Sequence, residues 1–134
     1  MTEVIIFLNK TLIQWYSKRQ ATVESSTYGS EMVAARIATE LTIAMRYRLR
    51  MLGVPVKGPA SMFGDNLSVV TNCTLSTSTL KKKHNAITYH KVREAVAAGV
   101  INLAHVPTKD NLADIMTKPL GPKQHYPLMS KFLI

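Results

Sequence analysis

The N-terminal part of the chain alternates short apolar runs with polar breaks. Apolar and mostly β-branched residues fill positions 4–8, and a second strand-like run occupies positions 12–16. Asn9 and Lys10 separate the two runs, and a two-residue polar break of this kind is typical of a β-turn. The pattern therefore predicts an antiparallel hairpin closed at Asn9 and Lys10, followed by a polar connector at 17–26.

The next segment has the spacing of a long amphipathic helix. Ser26 or Thr27 can cap its N-terminus, because a hydroxyl accepts a hydrogen bond from a backbone N–H of the first turn. Gly53, with Pro55 just beyond it, marks the C-terminal end. Apolar positions recur every three or four residues and form one apolar stripe, made of Val33, Ile37, Leu41, Ala44, Met45 and Leu52.

The second half of the chain is divided into shorter elements. They are a buried strand at 61–65, a helix at 66–72, a mobile basic loop at 74–83, a helix at 85–98, a strand at 100–106 and a last short helix at 111–117. Strands and helices in this order favour a mixed α/β fold. No internal repeat or linker interrupts the pattern, so we expect one domain over residues 1–134.

The net charge of the chain indicates which class of molecule it binds. The 134 residues carry 17 Lys and Arg against 8 Asp and Glu, which gives a net charge of +9. A surplus of that size favours a polyanionic partner, and nucleic acid is the commonest one. Two alternatives remain open, namely a basic surface that only keeps the domain soluble and contact with an anionic membrane surface.

The number of cysteines and the length of the apolar runs indicate in which cellular compartment the chain is found. Cys73 is the single cysteine, so the chain can form neither an intrachain disulfide nor a zinc site built on cysteines. The apolar run at 4–8 is too short for the core of a signal peptide or for a membrane span. We therefore expect no secretion and an intracellular location, in the cytoplasm or the nucleus.

Three acidic residues stand at the ends of predicted elements in a chain that has few acids. Glu31 lies in the first turns of the long helix, Asp65 ends the strand at 61–65, and Asp114 lies near the start of the last short helix. Together they suggest a divalent-metal site for chemistry on a phosphate backbone. Taken singly, each has an ordinary explanation: a helix N-terminus favours a carboxylate, and aspartate is common in turns.

Several basic residues are candidate phosphate contacts. The run Lys81, Lys82 and Lys83 lies in the basic loop beside Ser and Thr residues, with His84 directly after it. Lys18 and Arg19 follow the hairpin. The alternative for such a run is an ordinary solvated surface. Trp15 and Tyr16 are adjacent in a strand, so one is expected to face the core and the other to remain available for stacking on a base.

Motifs spread over nearly the whole chain, in order, resemble the RNase H region of copia-type LTR retrotransposon polyproteins. The resemblance rests on WYSKRQ at 15–20, VESST at 23–27 with Glu31, GDN at 64–66, SVV at 68–70, KHN at 83–85, YHKVRE at 89–94 and VPTKDNLADIMTKPL at 106–120. Any one of these motifs is weak by itself. Their joint order is specific.

The resemblance implies an RNase H-like mixed sheet flanked by helices, and cleavage of the RNA strand of an RNA–DNA hybrid. It also implies that Mg²⁺ or Mn²⁺ is held by acidic residues at four positions of the family. Glu31, Asp65 and Asp114 match three of these positions. Lys18, Arg19, Lys81, Lys82, Lys83 and His84 are the implied nucleic-acid contacts.

The chain departs from the family at the fourth acid, which belongs to the central first strand. No residue matches it, because Asp110 is too near Asp114 and Glu3 lies at the wrong end of the wrong strand. We expect the strand itself to lie upstream of Met1. The departure predicts a partial domain whose neighbouring strands either pair directly or leave two open edges that favour self-association. It also predicts a lower rate, because two metal ions need several carboxylates to offset their charge.

Two functions therefore remain open at this point. The first is a metal-dependent endoribonuclease that acts on hybrids. The second is a catalytically inactive remnant that binds nucleic acid through its basic surface.

Overall fold

A computed structural model describes residues 1–20, 27–75, 86–116 and 119–131. The strands are β1 (Thr2–Leu8), β2 (Thr11–Lys18), β3 (Ala60–Gly64) and β4 (Ile101–His105). The α-helices are α1 (Thr27–Met51), α2 (Leu67–Thr74), α3 (Ala86–Ala97) and α4 (Pro122–Met129), with 3₁₀ turns at Thr108–Asp110 and Leu112–Met116. This order confirms the mixed α/β class and is compatible with an RNase H-like arrangement.

The first two strands form the predicted antiparallel hairpin. The register runs from Thr2 opposite Lys18 to Leu8 opposite Thr11, with an irregularity between Ile6 and Phe7. Asn9 has a positive φ of 56°, a left-handed conformation that asparagine tolerates better than most residues. The turn therefore lies where the polar break predicted it.

The other two strands form a separate parallel pair. The register runs from Ala60 opposite Ile101 to Gly64 opposite His105. Parallel strands need a crossover connection, and here α2 and α3 lie in that connection. The prediction of a short buried strand is only half right, because Phe63 is 63% exposed whereas Met62 packs against the core.

Helix α1 confirms the predicted long helix, and the residues of the predicted apolar stripe are half-buried except Leu52, which lies just beyond the helix. The buried residues of α1 are Gly29, Met32 and Thr39, whereas Leu52 is 78% exposed. A helix of 25 residues is about 37 Å long, and its buried residues all lie in the N-terminal part. Its exposed C-terminal end stops at Gly53, which has a positive φ of 77°.

The core lies where α1, α2, α3 and β4 meet. Its buried members are Met32, Val69, Val70, Cys73, Tyr89, Val92, Ala95, Ile101 and Leu103. Asn72 of α2 donates a hydrogen bond of 2.8 Å to the hydroxyl of Tyr28 in α1. This polar contact fixes the rotation of the two helices beside the core.

The C-terminal segment differs from its prediction in two ways. The short helix expected at 111–117 is a 3₁₀ turn at Leu112–Met116, and Thr117 lies outside the described residues. Helix α4 is not among the predicted elements, because Pro127 lies inside it and proline disfavours a helix interior, although Pro122 stands at its first position, where proline is favoured. Burial of Leu128 anchors this helix instead.

The two pairs of strands remain separate sheets. The described residues form the orders β1-β2 and β3-β4, and no backbone hydrogen bond recorded among them joins β1 to β3. Of the two arrangements expected for the strands, direct pairing of the hairpin with β3 is therefore not seen among the described residues. None of the described helices combines the length and apolarity needed to cross a membrane.

Candidate active site

A cavity of about 450 Å³ separates the two sheets. Residues 3–7 of β1 line one wall and residues 60–64 of β3 line the other. Ala34, Ala35 and Ala38 of α1 also line it, as do residues 110–113 of the segment after β4. Four segments that are distant in sequence therefore meet around one space.

Glu31 lines this cavity directly. It is the fifth residue of α1, half-buried, and precedes the fully buried Met32. Because Met32 packs into the core, the first turns of α1 are held in place and Glu31 is carried to the cavity. The helix assignment for this residue is confirmed, whereas its metal role stays a prediction.

Asp65 follows β3 at the rim of the cavity. Its neighbours Gly64 and Asn66 both line the cavity, and Asp65 itself is half-buried. Asn66 caps α2, since its Oδ1 accepts a hydrogen bond of 3.2 Å from the N–H of Val69. The backbone oxygen of Asp65 lies 3.2 Å from Nε2 of His105, at the end of the paired strand β4.

Asp114 lies in the second 3₁₀ turn, just after the lining residues 110–113. Asn111 organises this turn, because its Oδ1 accepts a hydrogen bond of 3.2 Å from the N–H of Ala113. The N–H of Asp114 donates to the backbone oxygen of Asn111 at 3.3 Å. Like Glu31 and Asp65, Asp114 is half-buried.

The three carboxylates have the donor chemistry of a magnesium site but not its spacing. Carboxylate oxygens are the ligands that Mg²⁺ prefers. Within the part of the chain that the structure describes, however, no three or more His, Cys, Asp or Glu side chains stand close enough to hold a metal ion. The segments that carry Glu31, Asp65 and Asp114 converge on the cavity without forming a ligand cluster.

Two acidic residues that the sequence analysis set aside also line the cavity. They are Glu3 of β1 and Asp110 of the first 3₁₀ turn. The sequence predicts neither as a ligand, because Glu3 lies at the wrong end of the wrong strand and Asp110 lies too near Asp114. The feature that could have indicated Glu3 is its place in the hairpin. It is next to Val4, which is buried, on the strand that borders the cavity.

The described basic candidates lie on the hairpin, near an exposed aromatic side chain. Lys18 and Arg19 are exposed, and Trp15 on the same strand is 67% exposed whereas Tyr16 is half-buried. The alternation expected for these two aromatics is confirmed. Lys81, Lys82, Lys83 and His84 lie outside the described residues.

The environment of the cysteine argues against a reactive role. Cys73 is 1% exposed, and its thiol donates to the sulfur of Met32 at 3.7 Å. Burial raises the pKa of the Cys73 thiol to about 11, although the charge of Arg93 opposes the shift. A thiolate is therefore scarce at neutral pH, which agrees with a packing role.

Comparison with known proteins relates the chain to retroelement polyproteins. It is 34% identical over 118 residues to the retrovirus-related Pol polyprotein from transposon RE2 of Arabidopsis thaliana, and equally to that from transposon RE1. A retrovirus-related Pol polyprotein from a Nicotiana tabacum transposon is 30% identical over 106 residues. The aligned stretches cover 87%, 87% and 79% of this chain.

The chain spans only 8% of the length of each of these polyproteins. No protein-family model matches it, and no solved structure does. The comparisons thus relate the chain to retrotransposon Pol polyproteins as a class, without distinguishing which activity of such a polyprotein the matched part carries.

Proposed function

We propose that the chain is the RNase H-like part of a retroelement Pol polyprotein, which binds RNA–DNA hybrids and cleaves their RNA strand with Mg²⁺ or Mn²⁺. Glu31, Asp65 and Asp114 are the proposed ligands, and a bound ion would have to draw them together, because they form no ligand cluster among the described residues. The observation that carries the proposal is the convergence of three segments on one cavity: Glu31 lines it, and residues next to Asp65 and Asp114 line it too. The similarity to Pol polyproteins supports a nucleic-acid substrate.

The parallel pairing of β3 and β4 supports the same proposal. Both strands end at the same edge, because Gly64 lies opposite His105. Asp65 follows directly from β3, and the turn that holds Asp114 follows β4. Functional residues of open α/β sheets collect at the carboxyl ends of parallel strands, and Asp65 directly follows such an end.

The test is a divalent-ion titration with a hybrid whose RNA strand is labelled. Cleavage is expected to require Mg²⁺ or Mn²⁺. It is expected to be lost in Asp65→Asn, because the remaining carboxylates balance less of the positive charge of the metal ions. Glu94→Gln is a matched control, since Glu94 is an exposed acid on α3, outside the cavity lining. Absence of cleavage at every ion concentration would refute the enzymatic proposal.

A second candidate is a module that binds nucleic acid without cleaving it. The observation that favours it is the exposed Trp15 on the same strand as Lys18, with Arg19 directly after the strand. An exposed aromatic ring can stack on a base, and cations of the same hairpin can contact its phosphates. Binding by this surface needs no metal ligand.

The second candidate is tested by measuring hybrid binding by fluorescence anisotropy without divalent ions. Trp15→Ala is expected to weaken binding by about 1–3 kcal/mol, the usual contribution of one stacked base. Tyr47→Ala is the matched control, because Tyr47 is 64% exposed against 67% for Trp15. Equal losses in the two variants would refute a specific role of Trp15.

A further inference from the structure

We propose that the C-terminal half of α1 is a docking surface for an acidic amphipathic helix of a partner protein. The partner helix would place its apolar stripe against Ile43, Tyr47 and Met51, and its Asp or Glu side chains beside Arg48 and Arg50. The exposure, spacing and charge of these five residues carry the inference, independently of the proposed nuclease activity.

The C-terminal half of α1 lies beyond the core. The last buried residue of the helix is Thr39, and none of residues 40–59 is buried. The end of the helix is nevertheless well defined, because Nη2 of Arg46 donates a hydrogen bond of 2.8 Å to the backbone oxygen of Gly58. The N–H of Val54 also donates to the backbone oxygen of Leu49 at 2.9 Å. These bonds hold the returning segment against the helix, so the surface is preformed.

One row of apolar side chains is exposed on this half of the helix. It consists of Ile43, Tyr47 and Met51, which are four residues apart and therefore lie on the same side of α1. The row extends about 12 Å along the helix. Single exposed apolar residues are common, whereas a contiguous row is typical of an interaction site. A ridge of residues four apart packs into the groove of a second helix.

Cations flank this row on both sides. At 3.6 residues per turn, Arg48 lies on one side of Tyr47 and Arg50 on the other. Both are exposed, and no hydrogen bond or ion pair joins either side chain to the described residues. The helix dipole by itself accounts for cations in the last turn, but it does not account for the apolar row between them. In paired helices, charges that flank an apolar seam select the partner.

The sign of the charge defines the partner. Residues 41–64 contain no Asp or Glu. The basic residues in this stretch are Arg46, Arg48, Arg50 and Lys57. The preceding acid, Glu40, is already paired with Arg36 at 3.0 Å. A second copy of the chain would bring like charges together, because a symmetric contact uses the same surface twice. The matching partner therefore carries acidic side chains on both sides of an apolar stripe.

A nucleic acid matches this surface less well than an acidic helix does. Phosphates can contact Arg48 and Arg50, but bases stack on aromatic rings. Ile43 and Met51, on either side of Tyr47, offer no planar face for stacking. The apolar side of a helix can cover all three side chains, because its own apolar residues recur at the same spacing.

The probe is a blocked peptide of about 18 residues, which forms a helix of about 27 Å. It is built from Leu, Ala and Glu, with Leu every three or four residues and Glu on both sides of the Leu stripe. It carries a neutral fluorophore, and anisotropy with the intact chain measures its Kd. A peptide with Lys in place of every Glu should not bind, because like charges meet. A peptide of the same composition without a Leu stripe should bind at least about tenfold more weakly.

Variants of the apolar row test its contribution. Tyr47→Ser combined with Met51→Ser is expected to raise the Kd of the acidic peptide at least about tenfold, because both side chains lose their apolar contact. Ile87→Ser is the matched control, since Ile87 is 80% exposed on α3. It should leave the Kd unchanged.

Variants of the flanking cations test the charge. Arg48→Gln combined with Arg50→Gln is expected to raise the Kd about three- to tenfold at low salt and less at high salt, because salt screens exposed charges. Lys91→Gln combined with Lys123→Gln removes the same charge from exposed positions on α3 and α4. This control should change the Kd less than about twofold.

Three results would overturn the proposal. The first is no saturable binding of the acidic peptide up to about 100 µM. The second is equal binding of the peptide without a Leu stripe, which would indicate general attraction to a basic chain. The third is a loss of hybrid binding, or of sedimentation with phosphatidylserine vesicles, in the Tyr47 and Met51 double variant, which would assign the surface to nucleic acid or to lipid. None of these results depends on cleavage of a hybrid, so the two proposals fail separately.

Discussion

At the residue scale, Met32 links the candidate site to the core. It is completely buried, contacts Cys73 through sulfur and directly follows Glu31 in α1. Met32→Ala is expected to destabilise the fold by about 2–5 kcal/mol, because a buried methionine leaves a cavity when it is truncated. Urea denaturation measures the change.

Met51 provides the control for this substitution on the same helix. It is 71% exposed, so Met51→Ala should change the free energy of unfolding by less than about 0.5 kcal/mol. A loss in Met51→Ala as large as that in Met32→Ala would contradict the description of the core.

Cys73 gives a prediction about pH at the same scale. Its pKa is raised to about 11 by burial, so the folded chain holds the thiol proton at a pH where the unfolded chain has lost it. Stability is therefore expected to fall as pH rises from about 9 to about 11. Denaturation midpoints measured across this range check the sign, with Cys73→Ala as the control that should lose this contribution.

At the element scale, the start of α2 depends on a single cap. Asn66 accepts a hydrogen bond from the N–H of Val69 at 3.2 Å, and Asp65, which precedes it, is one of the proposed ligands. Asn66→Ala is expected to cost about 0.5–2 kcal/mol of stability, the usual range for a lost N-cap. Thermal denaturation measures this loss.

Two further variants separate the cap from general disruption of this turn. Asn66→Asp keeps the acceptor oxygen and should retain most of the stability. Asn72→Ala lies in the same helix but removes the contact with Tyr28 instead, so it should leave the α2 N-terminus intact. If Asn66→Asp were as unstable as Asn66→Ala, the cap would not explain the effect.

At the scale of the whole molecule, charge is the property that bears on binding. With a net charge of +9, hybrid affinity is expected to fall steeply with salt. Contact with about four phosphates implies a loss on the order of 100-fold between about 50 and about 200 mM salt. Anisotropy titrations at several salt concentrations measure the slope, and a flat response would contradict phosphate contact.

A charge variant checks where those contacts lie. Lys18→Gln combined with Arg19→Gln should reduce the salt slope, because both side chains are exposed on the hairpin. Arg46→Gln is a suitable comparison, since Arg46 already donates to the backbone oxygen of Gly58 at 2.8 Å. An identical slope for the unmodified chain and the hairpin variant would place the contacts elsewhere.

Much of the secondary structure could be read from local patterns, because it depends on neighbouring residues. The turn at Asn9 and the end of α1 at Gly53 are positions where the backbone needs a left-handed conformation. The cap at Asn66 is equally local. Helix α4 is harder to predict in this way, since Pro127 argues against it whereas Pro122 at its start and the burial of Leu128 favour it.

The sequence by itself determined the α/β class, most of the elements and the basic character of the surface, because each depends on local spacing or on a sum over residues. Only the tertiary structure decided which face of α1 is buried, that the two sheets stay apart, and that Glu3 and Asp110 share a cavity with Glu31. These features depend on contacts between segments far apart in the chain. Local periodicity carries no information about such contacts, so no pattern within one segment could reveal them.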